Sequence, residues 1–294
     1  MSVYELEYRV ADLGGPVHYA DFGGSGPPIV LVHGLGGALQ NWLCVAPRLR
    51  AHGRVLALDL AGHGRTPSRG RTARVGANRL LLDRFLAVVA GAPAVVIGNS
   101  MGGYLALAEA AAEPARVSAL VLVDAAVPLA PGGGFDRGVL ALFAAMATPV
   151  LGEALMLARS RRSPESRVRD LLLLCGVDHG TLARDVYEAH VAVATEHGAL
   201  GRRAAADFLA AQRSLMNRLL RRRKFFEMVA GIRAPALVIQ GDRDRLVRLP
   251  AARALAAERP DWRLEVLEGV GHVPQLQVPD RFLAIVEPWL RTHS

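Results

Sequence analysis

The chain has 294 residues, 51% of them hydrophobic, and a formal net charge of +8; its mean hydropathy is +0.23 and its pI about 10.4. Such a composition fills a sizeable core and excludes a disordered or collagen-like chain. The positive charge is arginine throughout except for Lys224, and it is scattered apart from Arg221-Arg222-Arg223-Lys224; no basic face interleaved with aromatics is present, so no nucleic acid is expected, and the charge is compatible with peripheral contact with anionic lipid.

The two cysteines, Cys44 and Cys175, lie far apart without metal-ligand spacing and read as free, buried thiols of a reducing compartment. The first seven residues carry early charge and no apolar signal core, so a cytoplasmic location is expected. The most membrane-like run, 138–158, is interrupted by Pro149, Gly152 and Glu153 and reads as two buried or interfacial helices rather than a transmembrane segment.

In chain order, 6–10 and 16–22 read as antiparallel strands turned by Gly14-Gly15. Apolar runs at 29–32 and 55–58 read as buried strands, with a helix over 41–50 between them and an amphipathic helix over 75–90 after them. Val95-Val96-Ile97 is a strand, 104–110 a helix, and 118–123 another strand. Strands alternating with helices predict a parallel, doubly wound sheet. After Pro128 the rhythm changes. Glycines at 132–134 form a flexible break and hinge, and helices are predicted over 136–147, 149–160, 164–175, 183–195 and 202–224, with no strand. The α/β pattern resumes with strands at 236–239 and 264–267 and helices at 250–258 and 280–291.

Between the strand at 95–97 and the following helix stands Gly98-Asn99-Ser100-Met101-Gly102-Gly103. A serine on a sharp strand-to-helix turn is held in a strained conformation with its hydroxyl exposed, and glycines two positions either side avoid clashes. The helix N-terminus supplies free N–H groups for developing negative charge. Ser100 therefore reads as a nucleophile needing a base and an orienting acid. His272 follows the last predicted strand and Asp244 the one before it, both at the carboxyl edge where sites form in open α/β sheets. Other polar residues read as structural: His33 and His63 within their turns, Asp59 as a strand-end cap, Asp242 bonded to nearby backbone.

These stretches, together with His33-Gly34-Leu35-Gly36-Gly37, Asp59-Leu60-Ala61-Gly62-His63-Gly64 and Gly241-Asp242-Arg243-Asp244, resemble the α/β-hydrolase superfamily in its capped, esterase- and lipase-like branch. The resemblance implies a doubly wound, mostly parallel eight-stranded sheet with an all-helical cap: residues 1–127 and 231–294 as core, 128–230 as cap. It implies Ser100 as nucleophile, His272 as base, Asp244 as acid, and an oxyanion hole from the N–H groups of Met101 and Leu35. Asp124 is the alternative acid, since the family's acid can follow the earlier strand. Gln277 departs from the glutamate often found there, a change without a mechanistic reading from sequence.

The expected activity is hydrolysis of a small-molecule carboxylic ester through an acyl-enzyme, with no cofactor and no metal. Phe143, Met146 and Leu155 are the expected pocket residues. Carbon–carbon bond hydrolysis of a vinylogous diketone by the same triad ranks second, and a non-catalytic ligand-binding protein third. Epoxide hydrolase and dehalogenase chemistry is disfavoured, because that branch has an aspartate where Ser100 stands. Sequence sets neither the oligomeric state nor the natural substrate.

Overall fold

Five strands are apolar almost end to end, the pattern of a sheet covered on both faces. In the computed structural model, which describes residues 7–130 and 136–293, these are β3 (Pro28–Val32), β4 (Arg54–Leu58), β5 (Ala94–Asn99), β6 (Val117–Val123) and β7 (Ala236–Gly241). With β1 (Glu7–Asp12), β2 (Pro16–Gly23) and β8 (Arg263–Leu267) they form one eight-stranded sheet in the order β1-β2-β4-β3-β5-β6-β7-β8. β2 pairs antiparallel with β1 and β4, and every other neighbouring pair is parallel. The period of two sorts β3 between two cores. Val30 and Val32 face the cluster built on Phe85 and Leu105; Ile29 and Leu31 face the one built on Trp42 and Phe282.

Helices α1 (Ala46–Leu49), α2 (Val75–Phe85), α3 (Met101–Ala112), α10 (Leu249–Glu258), α11 (Pro274–Gln277) and α12 (Pro279–His293) accompany the sheet. From β3 the chain moves to β4 on one side and then back to β5 on the other. That reversal opens a crevice at the carboxyl ends of the strands. Between β6 and β7 the described residues contain only helices and turns: α4 (Arg137–Ala147), α5 (Leu151–Ser160), α6 (Pro164–Leu174), α7 (Arg184–Gly198), α8 (Arg202–Leu219) and α9 (Arg222–Ala230).

Three expected helices differ from the observed elements. The segment 41–50 is a 3-10 turn (Leu39–Trp42) followed by the single turn α1, because Pro47 lacks an N–H and is tolerated only in a first turn. The segment 75–90 becomes α2 followed by a π-helical turn (Leu86–Ala90) that closes on Gly91 at φ 74. The segment 202–224 breaks at Arg221, with φ −92 and ψ 58; this turns Phe225 and Val229 of α9 into the core, and tertiary burial overrides local propensity. The run 138–158 is the α4–α5 pair, bent by 105°, and no described helix is long and apolar enough to cross a membrane. Both cysteines are free and half-buried rather than fully buried. The hinge expected at 132–134 lies outside the described residues.

Candidate active site

Ser100 caps α3 with φ 53 and ψ −117, a conformation disfavoured for any residue with a Cβ. The surroundings impose it. Ser100 N donates to Val123 O at 3.0 Å, and Ser100 O accepts from Tyr104 N at 3.1 Å and Ala126 N at 2.9 Å. The flanking glycines are required by space, since none of them has a positive φ. A Cβ on Gly98 would lie 2.7 Å from Gly103 N; one on Gly102 would overlap the Val32 carbonyl and lie 2.7 Å from His33 O; one on Gly103 would lie 2.6 Å from Ala125 Cβ. The loop after β3 passes equally close, with the Cβ position of Gly34 2.9 Å from Ser100 Cβ. Leu35 of that loop and Met101, the first residue of α3, thus flank Ser100. The first N–H groups of a helix lack intrahelical partners and carry its positive dipole end.

His272 lies in the loop after β8, buried, with Nδ1 2.7 Å from Asp244 Oδ2. That contact puts the ring proton on Nδ1 and leaves Nε2 as an acceptor. The Asp244 carboxylate is fully oriented: Oδ1 accepts from Leu246 N at 2.7 Å and Val247 N at 3.1 Å, and Oδ2 also accepts from Gln240 Nε2 at 3.2 Å. The His272 backbone is pinned from three elements. His272 N donates to Cys175 O at 2.8 Å, Asn99 Nδ2 donates to His272 O at 3.0 Å, and Gly271 N donates to Gln277 Oε1 at 2.7 Å. The sequence reading assigned no role to Asn99, Gln240, Cys175 or Gln277. Its one available signal was a polar residue at the end of an otherwise apolar buried strand, as in β5 and β7.

Asp124 follows β6 with φ 43, fully buried. Its Oδ1 accepts from Gln240 Nε2 at 2.7 Å and Gly241 N at 2.9 Å, while Oδ2 is buried without a partner. Burial and the neighbouring Asp244 push this carboxyl well above the usual carboxylate range. Asp124, Asp244 and His272 bring potential ligand atoms within 4.8 Å of one another. The Gln240 amide donates to both carboxyl groups, which is the wrong polarity for a cation site.

The polar residues read as structural have matching contacts. His33 Nδ1 lies 2.8 Å from Gly34 O and Nε2 accepts from Leu60 N at 3.0 Å; burial pushes this imidazole down to about 4. Burial pushes His63 down to about 3. Asp59 accepts from Leu39 N and Arg65 N, each at 2.8 Å, and burial pushes it up to about 6. Asp242 Oδ1 accepts from Gly269 N at 2.7 Å.

A cavity of about 650 Å³ is lined by Ser100, His272 and Leu35, and from the helical segment by Phe143, Met146 and Leu155. Asp244 and Met101 are buried behind it. Arginines also reach the wall, Arg248 among them, and two of them are paired with carboxylates. Arg245 pairs with Asp136 at 2.6 Å and Arg162 with Asp170; Arg159 and Arg167 donate to the carbonyls of Arg167 and Ala194 at 3.2 and 2.9 Å.

Three known proteins frame this geometry. A 2-hydroxy-6-oxononadienedioate/2-hydroxy-6-oxononatrienedioate hydrolase of Burkholderia vietnamiensis is 30% identical over 284 residues, covering 94% of this chain and 91% of that one. A crystal structure of a membrane phospholipase A, described as a bacterial virulence factor, matches with TM-score 0.73 at 26% identity, over 98% of this chain and 86% of that one. A haloalkane dehalogenase loop variant from Bradyrhizobium elkanii matches with TM-score 0.80 at 22% identity, over 98% and 97%, a likeness of fold alone. A family model described as the alpha/beta hydrolase family matches residues 29–285. With that match and the eight-stranded, mostly parallel sheet, the chain belongs to the alpha/beta hydrolase family.

Proposed function

We propose that the protein is a serine hydrolase that cleaves a carboxylic ester of an uncharged, lipophilic small molecule through an acyl-enzyme. The observation that carries this reading is the 2.7 Å contact of His272 Nδ1 with Asp244, behind a cavity that both His272 and the strained Ser100 line. In this mechanism His272 Nε2 takes the Ser100 proton as Oγ attacks the ester carbonyl. The tetrahedral oxyanion accepts from the N–H groups of Leu35 and Met101, each worth about 3 kcal/mol. Collapse expels the alcohol, protonated by His272. Water activated by His272 then releases the acid and restores Ser100.

In this reading residues 1–127 and 231–294 form the catalytic core and 128–230 the cap. Phe143, Met146 and Leu155 take the apolar part of the substrate, favoured by about 25 cal/mol per Å² of apolar surface removed from water. The apolar side chains that the helical segment contributes to the cavity, Phe143, Met146 and Leu155, support an uncharged substrate over a dicarboxylate. The second reading, carbon–carbon bond hydrolysis by the same triad, is favoured by one observation: the Burkholderia relative is named for a dioate substrate.

An ester series from acetyl to medium chain, run beside a vinylogous diketone on wild type and Ser100→Ala, separates them. Rising kcat/KM with chain length, no diketone cleavage and loss of several orders of magnitude in Ser100→Ala are expected. Preferred cleavage of the diketone would establish the second reading, and a preferred carboxylate-bearing ester would overturn the uncharged, lipophilic substrate. Ester turnover in Ser100→Ala within tenfold of wild type would remove the nucleophile assignment.

A further inference from the structure

We propose that the outer face of the α4–α5 pair is a docking surface for an anionic lipid bilayer. Leu140, Val150, Leu151 and Leu157 are between 46% and 80% exposed, and Leu142 is 37% exposed. Four of them lie on two short helices that meet at a 105° bend, and Val150 lies in the connecting turn. Scattered surface leucines are ordinary, but this many within one helical corner is the kind of apolar patch that marks an interaction surface.

The charge around the corner selects the partner. Between residues 136 and 162 the acidic residues are Asp136 and Glu153, and each is paired with an arginine from outside the stretch: Arg245 at 2.6 Å and Arg213 at 2.8 Å. The same stretch carries Arg137, Arg159, Arg161 and Arg162; Arg137 and Arg161 are exposed, Arg162 is exposed and paired with Asp170, and Arg159 donates to the Arg167 carbonyl. The rim is cationic on a chain of net charge +8. A second copy of this chain would set the same cations against one another, whereas an anionic leaflet attracts them and accepts the apolar side chains between them.

The surface also backs onto the cavity. Leu140 and Leu142 also belong to the lining of the space that holds Ser100, with Phe143, Met146, Leu155 and Met156 of the same two helices, which leaves Val150, Leu151 and Leu157 as the part of the patch outside it. A bilayer seated on the corner brings its acyl region to the other side of that wall. The surface does not rest on the triad reading, and its test needs no turnover.

The test is co-sedimentation of the full chain, wild type and Ser100→Ala, with vesicles of phosphatidylcholine alone or mixed with phosphatidylglycerol, at low and high salt. Val150→Glu/Leu157→Glu removes the apolar anchor and Arg137→Glu/Arg161→Glu reverses the rim. All four positions lie outside the cavity lining, and an unchanged Tm controls for folding. Expected are binding to the anionic vesicles only, weakening with salt, equal in wild type and Ser100→Ala, and at least tenfold weaker in each double variant. Absence of anionic-vesicle binding, or equal binding by the double variants, overturns the proposal. So does a concentration-dependent dimer that Val150→Glu/Leu157→Glu dissolves, which assigns the face to a second copy.

Discussion

Asp124 and Asp244, at the carboxyl ends of the neighbouring strands β6 and β7, share one amide: Gln240 Nε2 lies 2.7 Å from Asp124 Oδ1 and 3.2 Å from Asp244 Oδ2. Only Asp244 is hydrogen-bonded to His272. Two buried carboxyl groups this close do not both ionise readily. Burial and the neighbouring Asp244 push the Asp124 carboxyl well above the usual range, and its Oδ2 has no hydrogen-bond partner.

The two carboxyl groups are therefore expected to respond differently to the same substitution. Asp124→Asn replaces a buried carboxyl, pushed toward its neutral form, by a neutral amide. It keeps an acceptor for Gly241 N, and asparagine tolerates φ 43 better than most residues. Its kcat/KM is expected within about fivefold of wild type. Asp244→Asn loses the charge that orients the His272 tautomer and stabilises the imidazolium, for an expected fall of about 10⁴-fold. Steady-state kinetics on the best ester substrate checks both. Collapse in Asp124→Asn with activity retained in Asp244→Asn would reverse the assignment.

Gln277 acts on the same loop from the other side, through the 2.7 Å hydrogen bond from Gly271 N. A glutamate can accept that bond equally well, so Gln277→Glu is expected to keep activity within about threefold. Gln277→Leu leaves the Gly271 N–H unpaired and loosens the residue next to His272. An error of about 1 Å in such a group costs about 10²-fold, and the loss should appear in kcat with KM unchanged. A Gln277→Leu enzyme with wild-type kcat would show that the loop is held without it.

The turn at Ser100 makes a stability prediction. A Cβ at Gly102 would overlap the Val32 carbonyl, backbone that cannot yield. Gly102→Ala is expected to lose at least about 2 kcal/mol or to fail to fold, through overpacking. Gly231→Ala, at an exposed helix end where the nearest atom is 3.5 Å away, serves as the control and should stay within about 0.5 kcal/mol. Urea titration of both variants measures the difference.

The buried imidazoles predict a pH dependence. His33 and His63 titrate at about 4 and about 3 in the folded chain, against an ordinary 6.5, because burial disfavours their charged forms. Their folded values are depressed, so between pH 6.5 and about 4 the unfolded chain binds protons that the folded chain does not. Stability from these groups is present above pH 6.5 and is lost as pH falls through that window. Each group contributes a slope of at most about 1.4 kcal/mol per pH unit. Burial raises Asp59 to about 6, which works in the opposite direction, so the comparison with a variant isolates the histidine. His63→Phe is expected to flatten the fall in unfolding free energy between pH 6.5 and 4 by about that slope. An identical slope in the variant would show that His63 is already charged in the folded state.

What the sequence determined by itself is local and periodic. Uninterrupted apolar runs such as Ile29-Val30-Leu31-Val32 mark strands buried on both faces, because such a run has no side to offer water. The glycines around Ser100 mark a turn too tight for a Cβ, since the clash is with backbone only a few residues away or in the adjoining strand. The helical character of 136–230 was legible in the same way, from helix-like segments without a strand-like run among them. What only the tertiary structure decided is which distant groups meet. Asp124 and Asp244 both follow buried strands; the Gly241-Asp242-Arg243-Asp244 stretch favours Asp244 by resemblance, but which carboxyl meets His272 is a matter of how the strands are brought together. That choice is made by strand order and by Gln240, whose amide in an apolar strand acquires its partner 116 residues away. Asn99 reaches the His272 carbonyl across 173 residues. Arg221 leaves the helix because Phe225 finds a place in the core. Hydrophobic period records that a side chain is buried, whereas its hydrogen-bond partner depends on the register of strands brought together by the whole sheet.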